Sequence, residues 1–383
     1  MVIGDLGYDT ATGILFDTKE TIYPVPLEPT KAQARAALQT LMEPFKDFPF
    51  VDPLARSVHL AALLTAAVRP VLPTAPAFAY DAPARGSGKT LLSSCVAVLA
   101  SGGTPRIWPH VSAHEVEEIR KRFFTMLLEG TRAIVWDNVI GDFDSAPMAG
   151  MLTSPEVSDR ILSTSGSKTV PNRALLIFNG NNFVPVGDMS RRVLVCRIDP
   201  RTEAPHTRSF AVNPQEVCAK RRQEMVSAAL TLIRFYIASG APKEGDTGSF
   251  SAWDTWVRQT VIHVSRTIAP EGYCDIGESF ARNNGADPEA EQFGEFVRTW
   301  RLVFGEEWVS AKQIADKLSG SGGMSSDLDN FRRSFLPPTH GEVNVSTVGT
   351  ALKRRAGRMA AGLRLVFRQD STLNQKVWSV AVG

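Results

Sequence analysis

The run Pro83-Ala84-Arg85-Gly86-Ser87-Gly88-Lys89-Thr90 lies between the apolar segment Ala77-Phe78-Ala79-Tyr80 and a helix-forming stretch over residues 91–100, and it narrows what this chain can fold into more than any other feature. Gly86 and Gly88 let the backbone turn sharply with its N–H groups converging, and a helix that starts on the turn adds the positive end of its dipole. Strand, glycine-rich loop and helix in that order are half of a parallel crossover, which predicts an α/β fold. A glycine-rich turn before an ordinary helix would read alike in isolation; the strand before it argues for a phosphate-binding loop.

In such a P-loop, Arg85, Gly86, Ser87 and Gly88 cradle the phosphates, Lys89 reaches the outer ones and the Thr90 hydroxyl ligates Mg²⁺, so the expected ligands are ATP and Mg²⁺. The full pattern asks for Gly where this chain has Pro83. A metal-bound triphosphate also needs an acid at the end of a neighbouring apolar strand, and Ile134-Val135-Trp136-Asp137-Asn138 supplies Asp137. Asn138 stands where many ATPases carry a second acid; it can orient a water but cannot take its proton. Either Asp137 covers both roles, another carboxylate such as Glu118 contributes, or turnover is slow. The strand 175–178 ends in Asn179, a candidate to position the attacking water, although Asn179-Gly180-Asn181-Asn182 also suits a turn. Arg191 and Arg192, just before the apolar run 193–198, suit an arginine finger reaching a neighbouring subunit; a solvated pair is the plainer reading.

A chain of 383 residues predicts two or three domains. The expected division is a lead-in and helix over 1–50, a P-loop core with a mostly parallel sheet over 51–212, a helical lid or linker over 213–305 and a basic winged-helix-like module over 306–383. Residues 1–29 read as irregular, helices are predicted over 31–45, 53–68, 113–129, 214–239, 251–267 and 287–304, and residues 319–326 as a flexible break. The net charge of +2 averages over unlike segments: from Lys353 to Lys376 five arginines face Asp370 alone. Lys353, Arg354, Arg355 and Arg358, on and around one helix face, are candidate contacts to DNA phosphates, with Arg364, Arg368 and Lys376 on a following hairpin. The alternative is that these charges solvate a packing module. Phe367 and Trp378 read as core, and His110 and His114 as surface or helix-start residues.

The longest apolar stretch, 59–80, is interrupted by Arg69, Pro70, Pro73 and Pro76, which predicts no membrane-spanning helix. The first residues lack the pattern of a signal peptide, and Cys95, Cys196, Cys218 and Cys274 form no CxxC pair, so a reducing cytoplasm is expected and a zinc or disulfide framework is not.

Read with the segments Met151-Leu152-Thr153-Ser154, Ser158-Asp159-Arg160, residues 161–170, Gly187-Asp188 and Arg191-Arg192, these motifs resemble the AAA+ ATPase domain of phage- and plasmid-encoded primase–helicase proteins, which are similar to superfamily 3 helicases. The resemblance covers residues 50–270, with a weaker echo in the basic module. It implies a homo-oligomeric ring, a hexamer, with ATP between subunits, and a hairpin before the Asn179 strand that grips single-stranded DNA. Residues 160–171, turning at Ser165-Gly166-Ser167, fit that hairpin, with Lys168 as its DNA contact; without the resemblance Lys168 reads as a solubilising residue. It also implies either a fragment of a longer primase–helicase or a chain that works with a separate primase or polymerase partner. The expected function is thus an ATP-driven DNA helicase or translocase for replication of a phage or mobile element. An ATP-dependent initiator binding duplex origin DNA, or a helicase loader with slow hydrolysis, is the alternative, and a defence ATPase on the same scaffold is a third reading.

Overall fold

The computed structural model describes residues 6–10, 12–103, 106–109, 115–160, 166–202, 213–286, 288–319, 325–336, 343–370 and 375–382. The chain forms two compact units, Met1–Asn283 and Asn284–Gly383.

In the first unit, β1 (Gly7–Asp9) and β2 (Ile14–Phe16) make a small antiparallel hairpin where an irregular lead-in is expected. Helix α1 (Lys31–Met42) starts on a reciprocal cap, Thr30 accepting from the Gln33 N–H while the Gln33 side chain accepts from the Thr30 N–H. Helix α2 (Pro53–Val68) starts on Asp52, whose carboxylate accepts the Ala55 N–H at 2.8 Å, with Pro53 where no N–H is needed.

Next come β3 (Ala77–Ala82), α3 (Lys89–Ser101), β4 (Arg106–Pro109), α4 (Val116–Leu128), β5 (Ala133–Phe143), α5 (Ala146–Thr153), β6 (Glu156–Arg160), β7 (Ser167–Pro171), β8 (Leu175–Pro185) and β9 (Val193–Arg197). Five of these strands form one parallel sheet in the order β4-β5-β8-β3-β9, and β3 is buried along its whole length. This is why β3 reads as a near-continuous apolar run rather than an alternating one. Strands β5 and β8 extend well past their predicted ends because they stay paired through Phe143 and Pro185.

Helices α6 (Pro214–Lys220) and α7 (Arg222–Ser239) replace the single predicted helix. The break is Arg221, which leaves helical geometry and bonds Glu224 and Glu43. Helix α8 (Ser251–Trp253) runs through a π-helical turn, Asp254–Arg258, into α9 (Gln259–Thr267), and α10 (Gly277–Ala286) follows. Helix α10 is tied to β9: Ser279 Oγ accepts the Val195 N–H at 2.9 Å and Asn283 donates to the Val193 carbonyl at 2.8 Å.

The second unit holds α11 (Pro288–Phe304), β10 (Val309–Ser310), α12 (Ala311–Ser319), α13 (Ser326–Phe335), α14 (Val345–Arg355), β11 (Met359–Ala360), β12 (Leu363–Asp370) and β13 (Gln375–Val382). Its antiparallel sheet has the order β10-β13-β12-β11. The units divide at 283/284 rather than at 305/306, because α11 gives Phe293, Phe296, Val297 and Trp300 to the second core, where they meet Phe331 and Phe335.

Candidate functional site at the carboxyl edge of the parallel sheet

Strand β3 sends its chain through α3 to β4 at one edge of the sheet, while the adjacent strand β8 sends its chain to β9 at the other. Neighbouring strands whose exits diverge leave a crevice at their carboxyl ends, where α/β sheets bind ligands. The glycine-rich turn lies at that crevice. Gly86 and Gly88 have φ of 74° and 100°, in the left-handed region that favours glycine. A Cβ on Gly88 would also sit 3.1 Å from the Phe48 ring. Gly88 caps α3 without a side chain, so the first N–H groups of that helix have no side-chain cap.

Lys89 is buried and turned back on the loop, its Nζ donating to the Ala84 carbonyl at 3.0 Å and to Asn181 Oδ1 at 2.8 Å. Burial pulls its pKa below the usual lysine range, opposed by the charges of Asp81 and Asp137. Ser87 Oγ donates to the same Ala84 carbonyl at 2.6 Å, and Arg85 and Thr90 are exposed.

Asp137 is half-buried at the end of the hydrophobic part of β5, and Asn179 Nδ2 donates to its Oδ1 at 3.0 Å. Asn179 is buried, and its Oδ1 has no hydrogen-bond partner among the described residues. The β5–β8 register shifts between Trp136 and Val139, so Asp137 and Asn138 bulge out of the ladder. Asn138 takes φ of 64° there and is exposed. Asn and Asp tolerate that conformation better than other non-glycine residues, which gives a backbone reason for Asn138. Glu118 pairs instead with Arg122 on α4.

Two residues of this edge were not singled out from the sequence. Asn181, two positions beyond Asn179 and so on the same face of β8, is the one that holds Lys89. Asp81, at the end of β3, is buried, accepts the Phe183 N–H at 2.9 Å and pairs with Arg197 at 3.5 Å; burial raises its pKa. The available signals were the three asparagines at one strand end and the acid directly before the loop. Between Asn179 and Asn181, Gly180 is required: a Cβ would lie 2.9 Å from the Val139 carbonyl oxygen.

The adjacent arginines differ. Arg191, in a 3₁₀ turn over Gly187–Arg191, bonds Asp188 at 2.7 Å with its side chain 57% exposed. Arg192 is 11% exposed and folded onto Asp188, donating to its carbonyl at 2.7 Å.

The predicted hairpin exists, but its first arm begins earlier, at Glu156, with Asp159 opposite Lys168 and Arg160 opposite Ser167. Ser165 of the predicted turn lies outside the described residues, as do His110 and His114. Asp159 is buried and bonded to Arg120, and Lys168 is exposed. On the other face Arg160 is exposed, beside a Ser158–Thr169 hydroxyl pair at 2.7 Å.

In the second unit, Lys353 and Arg354 are exposed. Arg355 instead lies over Phe296 and Phe335 at 5.6 and 5.5 Å, and Arg358 over Phe293 at 4.8 Å. Arg368 covers Trp308 at 4.3 Å and Lys376 covers Phe367 at 4.4 Å. Phe367 is 45% exposed, unlike the core residue expected, because it sits on the core face of β12 but beyond the core's rim; Trp378 is buried. Among the described residues no helix is long and apolar enough to cross a membrane, and no cluster of three or more His, Cys, Asp or Glu side chains could hold a metal.

No family model matches the chain, and no curated protein matches it. Solved structures similar to it include two of the NrS-1 C-terminal region in its apo A form. These are 11% and 10% identical, with TM-scores of 0.39 and 0.42, and each alignment covers 94% of this chain and 79% of that one. Similarity at that level carries no argument about activity.

Proposed function

We propose that the chain is a P-loop ATPase of AAA+ type that hydrolyses ATP between copies of itself and moves on single-stranded DNA as a replicative helicase. The observation that carries this reading is the placement of Lys89 Nζ, held by Ala84 and Asn181 in the crevice beside the Asp137–Asn179 pair. A buried ammonium resting on two neutral oxygens gains by exchanging them for phosphate oxygens. The N–H groups at the start of α3 that no side chain caps, the left-handed glycines and the unpartnered Asn179 Oδ1 fit a phosphate and an ordered water.

In this reading Arg85, Gly86, Ser87 and Gly88 wrap the phosphates and Lys89 leaves Asn181 for the outer ones. Thr90 and Asp137 would hold Mg²⁺, which supplies neutralisation of charge on the phosphates. Asn179 keeps Asp137 oriented, and Asn181, once released, is free to position the attacking water. Arg191, the exposed member of its pair, faces the neighbouring copy. Lys168 and Arg160 flank the outer end of the β6/β7 hairpin as DNA contacts. In the second unit, the pairing of β10 with β13, and β11 and β12 following α14, support reading it as a winged-helix-like module. The exposed Ser346, Thr350, Lys353 and Arg354 then form the groove-facing side of α14.

The test is ATP hydrolysis with and without single-stranded DNA, for the wild type and Lys89→Ala. DNA-stimulated turnover that Lys89→Ala abolishes is the expected result; turnover that survives Lys89→Ala overturns the assignment. The bulge at Asn138 favours one second reading, an origin-binding initiator or loader with slow hydrolysis, because this position has no acid to take a proton from water. Unwinding of a forked duplex separates the two, since a loader leaves the fork paired.

A further inference from the structure

Arg69 is 3% exposed and has no carboxylate partner among its bonds. Its guanidinium donates to the carbonyls of Ala174 at 2.8 Å, Leu72 at 2.8 Å and Asn172 at 2.7 Å. A buried cation resting on neutral carbonyls is costly to keep, so what it holds is informative. It holds residues 172–174, the link between β7 of the hairpin and β8. Asn172 is also buried and fastens the hairpin's other foot. Its backbone N–H donates to the Pro155 carbonyl at 2.8 Å, and its Nδ2 donates to the carbonyls of Met151 at 2.7 Å and Ser154 at 3.1 Å. Both strands of the hairpin therefore leave one polar knot, and β8 continues from that knot to Asn179, Asn181 and the Lys89 contact.

We infer that Arg69 and Asn172 clamp the β6/β7 hairpin to strand β8, so that a change at Asn179 and Asn181 on nucleotide binding moves the hairpin. The inference rests on the nucleotide reading above and makes Arg69 and Asn172 positioning residues, remote from the phosphates. The clamp also acts in the other direction: DNA on the hairpin biases the asparagines, which is how it stimulates turnover.

The experiment compares Asn172→Ala, which removes the two Nδ2 bonds and the 3.5 Å contact of Oδ1 with Arg69 but leaves Arg69 its three carbonyls, with Arg69→Lys, which keeps the charge but not the three-way fork. Basal turnover, DNA-stimulated turnover and deuterium uptake over residues 156–171, with and without a non-hydrolysable ATP analogue, are measured on the full chain. The expected result is basal turnover near the wild-type level in Asn172→Ala and a stimulation ratio that falls to about one. Hairpin uptake then becomes indifferent to the analogue in the variant while changing with it in the wild type. A purely structural role lowers both rates together and leaves their ratio unchanged; that outcome overturns the clamp and spares the ATPase reading. A wild type that neither binds nor hydrolyses ATP overturns both, and the Lys89→Ala comparison distinguishes the two failures.

Discussion

Several cations of the two units are held in different ways. In the first, Arg69 is held by three carbonyls, Arg258 by Asp254 and Asp275, and Arg192 by Asp188. In the second, Arg355, Arg358, Arg368 and Lys376 lie over aromatic rings. Oxygen partners consume N–H donors, whereas a ring face attracts the charge and leaves the donors at the edge. An arginine bonded to oxygen in a buried site is thus committed to the fold, whereas a stacked one is oriented by its ring. Arg191 also bonds oxygen, at Asp188, but with its side chain 57% exposed, and the comparison is broken or sharpened most strongly there.

Arg191→Ala is expected to lower turnover by about 10³-fold with nucleotide affinity retained, the loss typical of an arginine finger. Arg192→Ala removes bonds to the Asp188 carbonyl and carboxylate at a largely covered site, and should instead lower the melting temperature by a few degrees, with a smaller effect on rate. Steady-state hydrolysis and thermal melts of both variants decide it. The reverse pattern would mean that exposure misidentifies the acting arginine.

The next effect is on stability and separates the units by pH. His59 is fully buried, its Nδ1 2.7 Å from the Tyr80 hydroxyl, and burial lowers its pKa from 6.5 to about 3. Between those values the unfolded chain binds a proton that the native state refuses, so the proton-binding difference is positive and stability rises with pH. Acidification from 6.5 toward 3 should therefore destabilise the first unit by about 1.4 kcal/mol per pH unit from this residue, a few kcal/mol in all. The second unit has no buried histidine among its described residues. Urea melts at several pH values should show the first unit losing ground to the second in acid, and His59→Gln should remove much of that slope.

Much of the candidate site was legible because it depends on local order: strand, glycines, lysine, and acids or amides at strand ends. The helix starts at Lys31 and Pro53 were legible for the same reason. What was not legible depends on register and on neighbours distant in sequence. Asn181 rather than Asn179 holds Lys89 only because β8 pairs with β3 in the register that puts Ala82 beside Asn181. The left-handed Asn138 needs a bulge against β8, which no window of sequence contains. The periodicity of α11 marks an apolar face but not the core it fills, and so misplaced the division between units.

The smallest effects test the stacked arginines. Lys353→Ala and Arg354→Ala remove exposed charges and should each weaken duplex binding modestly and uniformly across sequences, lowering the salt slope by about one. Arg355→Lys keeps the charge over Phe296 and Phe335 but loses the planar group. If the ring contact only builds the module, Arg355→Lys should lower its melting temperature slightly and leave DNA affinity alone. If stacking also aims the donors, affinity falls as it does for Arg354→Ala, with the salt slope retained because the charge remains. Fluorescence anisotropy over a salt series, read beside a melt, distinguishes these results. An Arg355→Lys variant unchanged in both would show that the ring contact neither stabilises the unit nor orients the charge.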